Sequence, residues 1–191
     1  MVKKKEKYWS LKIPIKLSKI DNEMKEYLLV CEEKLGMVPN ILKTNTINKK
    51  KFDAFNAFYN RLMQEENFLM KFEKEMIAVV VSSINRCLYC CVSHSYTLGK
   101  LLNDPIASKN ILINYKTANL NNKHTKMLDF VAKLTSSSYL INEADRSSLR
   151  KVKFTENQIL EIIEVCSFFN MTNRIASGTD MKPNKEYYFS Q

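Results

Sequence analysis

The chain has 191 residues, of which 45% are hydrophobic and 26% are charged. This composition is typical of a globular protein of about one domain and excludes a disordered or fibrous chain. Only three Gly and four Pro are present, so the chain has few of the turn residues that a many-stranded sandwich or barrel requires. A domain of this size buries about 70% of its unfolded surface, so it needs neither disulfides nor a metal for stability. These properties favour an all-α fold with cysteines that are free for chemistry.

The net charge of +10 would suit nucleic acid or an anionic membrane surface as a partner. The basic residues include only five arginines, however, and these are scattered along the sequence, whereas base and phosphate recognition depends largely on arginine. The one dense cluster is Lys3, Lys4, Lys5 and Lys7 at the N-terminus, which is typical of a solvated tail. We therefore expect no nucleic-acid partner.

From these residues we expect neither a secretory signal nor a membrane-spanning segment. Residues 8–18, after the basic start, lack a continuous apolar run and a small-residue cleavage site. The longest apolar stretch, residues 76–84, is interrupted by two serines and is far shorter than the roughly 20 residues that span a bilayer. The five cysteines are odd in number and unevenly spaced, which is typical of a reducing compartment. We expect a cytoplasmic protein with no membrane partner.

The sequence divides into an N-terminal arm and a helical domain, which differ in how their apolar residues are spaced. Residues 1–20 are predicted to be an extended N-terminal arm, in which the alternation of apolar residues from Leu11 to Leu17 indicates that one side lies against the body. Residues 21–191 are predicted to form a single all-helical domain.

Capping residues divide that domain into helices. Asp21 is a suitable N-cap for the first helix and Gly36 a suitable stop, while Gly99 is expected to end the helix that carries most of the cysteines. Asp104, which is followed by proline, and Thr155, which begins a capping-box pattern, start two others. The predicted helices cover about residues 21–35, 52–62, 71–84, 87–99, 106–115, 122–136, a short segment after residue 142, and 155–175.

The residues suited to chemistry fall within one short segment, from Glu75 to His94. On a helix, Cys87 and Cys90 are one turn apart and His94 is one turn further, so the three side chains share one face. Glu75 lies about three turns earlier, on the apolar helix that precedes them, and a helix hairpin would return it alongside the cysteines. Its carboxylate, if buried, needs a partner.

These residue types favour redox chemistry. A thiolate at a helix N-terminus is stabilised by the positive end of the helix dipole, and a nearby imidazole can accept the thiol proton. A second thiol one turn away can attack a sulfenic acid or mixed disulfide on the first and form a short, reducible disulfide. Glu75 can orient His94 or relay a proton through water. The segment therefore predicts a two-electron peroxidase or a disulfide-exchange cycle.

Two other interpretations of the same residues stay open. The cysteines can be structural, in a non-enzymatic helical oligomer or binding module. Alternatively, Cys87, Cys90, His94 and Glu75 can supply four ligands to zinc, although structural zinc sites usually draw on a second Cys or His pair, and the sequence offers none. We expect neither a metal nor a cofactor.

Cys31, Cys166 and the second histidine are predicted to have no chemical role, whereas the role of Cys91 stays open, because it could offer an alternative disulfide. Cys31 and Cys166 lie on apolar helix faces and are expected in the core. Cys91 points away from the shared face and is expected in the core or against a neighbouring helix. His124, on a polar segment, is expected to be a surface histidine.

The spacing of Glu75, eleven residues, Cys87-x-x-Cys90, three residues and His94 resembles the alkylhydroperoxidase D-like, or carboxymuconolactone decarboxylase-like, family. More narrowly, it resembles the peroxidase-related enzyme branch of that family. Supporting stretches are residues 38–41, 77–82 and 169–174. The resemblance covers about residues 20–188.

This resemblance implies an all-helical fold in which an antiparallel helix hairpin presents the redox pair, and assembly as trimers or hexamers. In similar enzymes the second cysteine, here Cys90, attacks the hydroperoxide, and the first, here Cys87, resolves the product. The residues equivalent to His94 and Glu75 form the proton relay. A dithiol or a lipoylated protein then reduces the disulfide.

Two comparisons within the family bear on this chain. Better-studied members can carry a histidine between the two cysteines, where this chain has Leu88 and Tyr89. Decarboxylases of the same family lack the redox cysteines, so the presence of Cys87 and Cys90 argues against that activity. Fold alone would not decide between the two activities.

Overall fold

The computed structural model describes residues 8–65 and 68–189, and within these ranges every regular element is helical. The α-helices are α1 (Asn22–Leu35), α2 (Asn40–Asn45), α3 (Lys49–Tyr59), α4 (Lys71–Ile84), α5 (Leu88–Leu102), α6 (Pro105–Asn114), α7 (Asn122–Ser136), α8 (Glu143–Lys151), α9 (Glu156–Gly178) and α10 (Glu186–Phe189). A π-helical turn, Asn60–Gln64, extends α3. The predicted all-α fold is confirmed, while the lysine cluster at positions 3–7 lies outside the described residues.

Most helix ends follow from local capping chemistry. The Asp21 side chain accepts a hydrogen bond from the backbone N–H of Met24 at 2.9 Å, and Gly36 ends α1 in the left-handed region at φ 71°. Thr155 and Gln158 form a capping box at the start of α9. These ends agree with the prediction because short polar side chains and glycine satisfy exposed backbone groups locally.

The prediction that Gly99 ends α5 is wrong, because the helix continues to Leu102. A Cβ at position 99 would lie 3.0 Å from Ser108 Oγ and 3.2 Å from Pro105 Cα, so glycine allows α6 to approach α5 closely. The helix ends instead at Asn103, which adopts the left-handed conformation at φ 51°. A glycine that permits close packing has the same sequence signature as one that stops a helix.

Helix α4 lies at the centre of the fold and packs against α5, α6, α7 and α9. Its residues from Glu73 to Ser82 are all buried, and Ile77 and Val79 have no exposed surface. Cys166 on α9 is also buried in this core, as predicted. Among the described helices, none is both long enough and apolar enough to cross a bilayer.

Three consecutive charged residues near the start of α4 are buried, and each is paired with a different helix. The pairs are Glu73 with His124 of α7, Lys74 with Glu161 of α9, and Glu75 with His94 of α5. Because an unpaired buried charge is costly, each pair favours a single register of α4 against its neighbour.

The prediction that His124 is a surface histidine is therefore wrong. Its side chain is only 16% exposed, and its Nε2 lies 3.2 Å from Oε1 of Glu73. The polar sequence around it reflects the start of a helix, and it gives no sign that another helix supplies a buried carboxylate.

The N-terminal segment packs on the residues that follow α9. The backbone N–H of Ser10 donates to the carbonyl of Thr179 at 2.9 Å, and the Trp9 side chain is buried. Leu11 and Ile13 are exposed, so the predicted packing through the alternating apolar side is wrong for these two residues. The division into residues 1–20 and 21–191 stays a prediction.

Candidate active site

Helices α4 and α5 form the predicted antiparallel hairpin, and its tight turn places the cysteines. Asn85 ends α4, and Arg86 reverses the chain in the left-handed region at φ 51°. Cys87 is the N-cap of α5, and its sulfur accepts a hydrogen bond from the backbone N–H of Cys90 at 3.4 Å. Both cysteines therefore lie at the positive end of the α5 dipole.

Two asparagines of α9 hold this turn. The Asn85 side-chain amide donates to Oδ1 of Asn170 and to Oδ1 of Asn173, both at 3.1 Å. Asn173 is fully buried and donates to the Ser82 hydroxyl at 3.3 Å. They were not predicted as part of the site, although two amides three residues apart on an apolar helix are a detectable signal.

The two sulfurs differ in access. Cys87 and Cys90 are disulfide-bonded with their Cα atoms 5.3 Å apart, which is a normal separation for a disulfide. Cys87 is 1% exposed and Cys90 is 3% exposed, but Cys90 lines a cavity and Cys87 does not. Of the two cysteines, Cys90 is therefore the one that borders the cavity.

Glu75 and His94 form a hydrogen-bonded pair beside the cysteines. His94 Nδ1 lies 2.9 Å from Oε2 of Glu75, and the side chains are 16% and 6% exposed, respectively. The ring of Phe169 contacts the His94 ring at a centroid distance of 4.5 Å. A carboxylate at this position favours the tautomer with the proton on Nδ1. Among the described residues, Nε2 of His94 has no hydrogen-bond partner, so this nitrogen is left to accept a proton.

The cavity beside these residues has a volume of about 560 Å³ and is bounded by α1 to α5, α9 and α10. Glu75, Cys90 and His94 all line it. The aromatic residues that line it are Tyr27, Phe55, Tyr59, Tyr89, Tyr96, Phe168, Phe169 and Tyr187. A mostly apolar cavity of this size, rich in aromatic residues and with a few polar groups, is typical of a site for an organic small molecule.

Three tyrosine hydroxyls in this cavity are kept protonated. Burial raises the pKa of Tyr89 to about 12. Burial and, to a smaller extent, the negative charge of Glu75 raise the pKa of Tyr59 well above its usual value. Burial likewise raises the pKa of Tyr187. At neutral pH these side chains are hydrogen-bond donors and acceptors, not phenolates.

The other thiols near the site are less suited to react. Cys31 was predicted to be core, but it is half-buried and lines the cavity from α1. Burial raises the pKa of Cys31 and also that of Cys91, which is half-buried. Both remain thiols at neutral pH, and thiols are poor nucleophiles.

The described residues do not form a metal site. Across residues 8–65 and 68–189, no group of three or more His, Cys, Asp or Glu side chains is arranged to hold a metal ion. The geometry instead joins the four residues in pairs, one disulfide and one carboxylate–imidazole hydrogen bond.

Known structures resemble this one closely. No family model matches the chain, and no curated protein matches it. The crystal structure of an uncharacterized peroxidase-related protein from Silicibacter sp. TM1040 has 46% sequence identity and a TM-score of 0.93, over 99% of this chain and 98% of that one. A protein from Ralstonia eutropha JMP134, described as an alkylhydroperoxidase AhpD core and peroxidase-related, has 33% identity and a TM-score of 0.88, over 92% and 93% of the two chains. The chain belongs to the AhpD-like family of peroxidase-related proteins.

The AhpD-like fold also occurs in a protein with a different named activity. The debrominase Bmp8 has 18% identity to this AhpD-like chain and a TM-score of 0.78, with 92% of each chain covered. At this identity the similarity shows the fold alone. The activity of this AhpD-like protein must therefore be argued from its own cavity and side chains.

Proposed function

We propose that this AhpD-like protein is a thiol-dependent peroxidase that reduces hydroperoxides through a dithiol–disulfide cycle of Cys87 and Cys90. The observation that carries the proposal is the position of Cys90, which lines the same cavity as the hydrogen-bonded pair Glu75 and His94. Cys87 forms a disulfide with Cys90 and does not line the cavity. Membership of a peroxidase-related family supports the same chemistry.

In the first step the Cys90 thiolate attacks the terminal oxygen of the hydroperoxide. The S–O bond forms, the O–O bond breaks, and the alkoxide leaves and takes up a proton to become an alcohol. Sulfur is oxidised to a sulfenic acid while the peroxide is reduced. His94 accepts the Cys90 proton at Nε2 and returns it to the leaving alkoxide, and Glu75 stabilises the imidazolium through Nδ1.

In the second step Cys87 attacks the sulfur of the Cys90 sulfenic acid. The S–S bond forms, and hydroxide leaves with the Cys87 proton as water. The 5.3 Å between the two Cα atoms allows this bond to form without rearrangement of the backbone.

The cycle closes when a reductant returns two electrons to the disulfide. A dithiol, either free or as the lipoyl group of a protein, is the chemical class that can do this, because its second thiol resolves the mixed disulfide formed by the first. In this exchange the dithiol becomes a disulfide and Cys87 and Cys90 become thiols.

Assembly as a trimer or hexamer belongs to the same proposal. Three apolar side chains along α9, Leu160, Met171 and Ile175, are exposed in the single chain, and apolar surface of this kind favours association. Light scattering on the purified protein measures the number of subunits.

Cysteine variants test the proposed cycle. We expect the reduced protein to consume one equivalent of cumene hydroperoxide and to lose two thiols. The Cys90→Ser variant should consume peroxide no faster than buffer. The Cys87→Ser variant should react once and leave a sulfenic acid on Cys90, which mass spectrometry detects after trapping with dimedone.

Cys91 provides the matched control, because it is adjacent in sequence and burial raises its pKa. The Cys91→Ser variant should keep full turnover with a dithiol donor. Peroxide-dependent turnover by the Cys90→Ser variant, or equal losses in the Cys90→Ser and Cys91→Ser variants, would show that the proposal is wrong.

The same dithiol could reduce a carbon–halogen bond instead, and the aromatic lining of the cavity favours this as the second candidate function. In such a step the aryl bromide gains a hydrogen, bromide leaves, and the two thiols supply two electrons and become a disulfide. A solved structure of the debrominase Bmp8 contains 2,3,4-tribromopyrrole. Release of bromide from brominated pyrroles by the reduced protein, without turnover of hydroperoxides, would favour this function.

A non-enzymatic role for the cysteines gives different measurements. A zinc module would be purified with stoichiometric metal and unreactive thiols. Metal analysis combined with thiol titration therefore separates the redox proposal from the structural one.

A further inference from the structure

The C-terminal segment returns to the cavity after α9. Asn184, which is buried, accepts a hydrogen bond from the backbone N–H of Asn40 at 2.8 Å and donates to the carbonyl of Val38 at 2.9 Å. Pro39, between these two residues, lines the cavity. The segment is thus fastened to the turn before α2, and α10 then lies against α5.

Of the residues in α10, Tyr187 is the one that lines the cavity. Its ring contacts the ring of Tyr96 on α5 at a centroid distance of 5.3 Å. Tyr188, the next residue, is 52% exposed, and Phe189 is more exposed still. The segment therefore presents one phenol to the same space as Cys90.

The Tyr187 hydroxyl lies near the hydroxyl of Tyr89, but no hydrogen bond joins the two side chains. Tyr89 lies between the two motif cysteines and also lines the cavity, and its oxygen accepts the backbone N–H of Ile41 at 3.2 Å. Tyr89, in the cysteine motif, and Tyr187, in the C-terminal segment, border the same cavity and are called here the tyrosine pair.

Neither phenolic proton of the tyrosine pair has an acceptor among the described residues. The Tyr89 oxygen accepts the backbone N–H of Ile41, which leaves its own proton to be donated. A largely buried hydroxyl proton needs an acceptor, and the space that both residues border is the cavity.

We propose that the tyrosine pair is a ligand-binding site within the cavity and donates a phenolic proton to an oxygen atom of the substrate. The inference rests on the proposed function, which makes Cys90 the reacting residue. It adds the tyrosine pair as the group that binds the substrate next to Cys90. The ligand class is an organic molecule with an apolar ring or branched body, which packs on the aromatic lining, and with an oxygen that accepts a hydrogen bond. Hydrogen peroxide has no such body and depends less on the pair.

The test removes the hydroxyls and keeps the rings. In the Tyr89→Phe/Tyr187→Phe double variant, we expect the dissociation constant of cumyl alcohol, measured by calorimetry, to rise about fivefold to tenfold, because one hydrogen bond to the ligand is lost. The KM for cumene hydroperoxide should rise by a similar factor with little change in kcat. The kcat/KM for hydrogen peroxide should stay within about twofold.

The Tyr188→Phe variant is the matched control, because it removes a hydroxyl from the same helix but outside the cavity. It should bind cumyl alcohol as the unaltered protein does. The single Tyr187→Phe variant keeps the hydrogen bond from Ile41 to Tyr89 and should give a smaller rise in the dissociation constant, so the inference can still be tested if the double variant fails to fold.

Cumyl alcohol binding that is unchanged in the double variant, or equally weakened by Tyr188→Phe, would overturn the inference. Failure of the proposed function gives a different result. If the protein reduces no hydroperoxide but the double variant still loses affinity for cumyl alcohol, the binding site stands and the peroxidase proposal does not.

Discussion

The protein contains two glutamate–histidine pairs that are nearly identical by local measures. Both glutamates lie on α4, two residues apart. Glu75 pairs with His94 at 2.9 Å, and Glu73 pairs with His124 at 3.2 Å. The exposed fractions of the side chains are 6% and 16% in the first pair and 7% and 16% in the second. Burial and distance alone do not identify the functional pair.

The pairs differ in what the second ring nitrogen contacts. In His124, Nε2 faces Glu73 and Nδ1 lies 3.2 Å from the side-chain amide of Asn121, the N-cap of α7, so both nitrogens are occupied. In His94, Nδ1 faces Glu75, and among the described residues nothing contacts Nε2 by a hydrogen bond. His94 can therefore accept a proton from a reacting group, while His124 links two helix ends.

The carboxylates differ in the same way. Glu73 also accepts the backbone N–H of Met70 at 2.9 Å, which satisfies a backbone donor at the start of α4. Glu75 lines the cavity together with Cys90, and Glu73 does not. The proposed catalytic pair therefore differs from the other pair in one respect, which is a ring nitrogen without a partner among the described residues, next to the cavity.

Substituting each histidine in turn should give the largest difference in the rate of peroxide reduction between the two pairs. We expect His94→Gln to lower the rate of peroxide reduction by about 100-fold or more, because general acid–base catalysis is lost. His124→Gln should change this rate by less than about threefold, since His124 borders no reacting group, and should instead reduce the free energy of unfolding by about 1 kcal/mol. Steady-state kinetics and urea unfolding measure the two quantities.

Equal losses of peroxide reduction in the two variants would mean that the pairs do not differ as described. A normal rate in His94→Gln would remove His94 from the relay, and Glu75 would then have to act on the substrate directly.

Substituting the two glutamates should give a smaller difference in turnover than substituting the two histidines. We expect Glu75→Gln to lower turnover on the order of tenfold, because the amide can still hold His94 but no longer stabilises the imidazolium with a negative charge. Glu73→Gln should leave turnover nearly unchanged. The pH profile of turnover separates a role in the relay from a role in packing, since only Glu75→Gln should shift it. An unshifted profile in Glu75→Gln would argue for a packing role.

Much of this fold could be predicted from the sequence because helix caps and apolar periodicity are local. Asp21, Gly36 and Thr155 mark helix ends by contacts within a few residues of themselves. The short helices α2 and α10 were not predicted, since six and four residues are too few for a periodic pattern. Gly99 was misinterpreted because its role depends on α6, a contact that the sequence around it does not show.

The candidate site was predictable to the extent that its residues are close in sequence. The segment from Glu75 to His94 contains the disulfide and the carboxylate–imidazole pair, and a hairpin brings them together. Tyr187 approaches the same hairpin from a distant part of the chain, so no spacing rule indicates it. The two asparagines of α9 have a recognisable spacing, but the sequence does not show which turn they contact. His124 was placed at the surface for the same reason, because its partner Glu73 is 51 residues away.

The Glu73 pair should also show itself in the pH dependence of stability. Burial alone would raise the pKa of Glu73, but the hydrogen bonds from His124 and from the Met70 N–H outweigh it and hold the pKa below its usual value. A carboxyl with a lowered pKa in the folded state stabilises the protein above the pKa of the unfolded chain, about 4.3. That stabilisation is lost as the pH falls from there through the lowered pKa of the folded state.

We therefore expect Glu73→Gln to be less stable than the unaltered protein by about 1 kcal/mol at pH 6. The difference in the free energy of unfolding should shrink as the pH is lowered from about 4.3 towards 3. Urea unfolding at several pH values measures it. In the His124→Gln background, the same substitution should lose much of this pH dependence, because the strongest hydrogen bond that lowers the pKa of Glu73 is absent there. A difference that stays constant with pH would mean that Glu73 acts through packing and not through its charge.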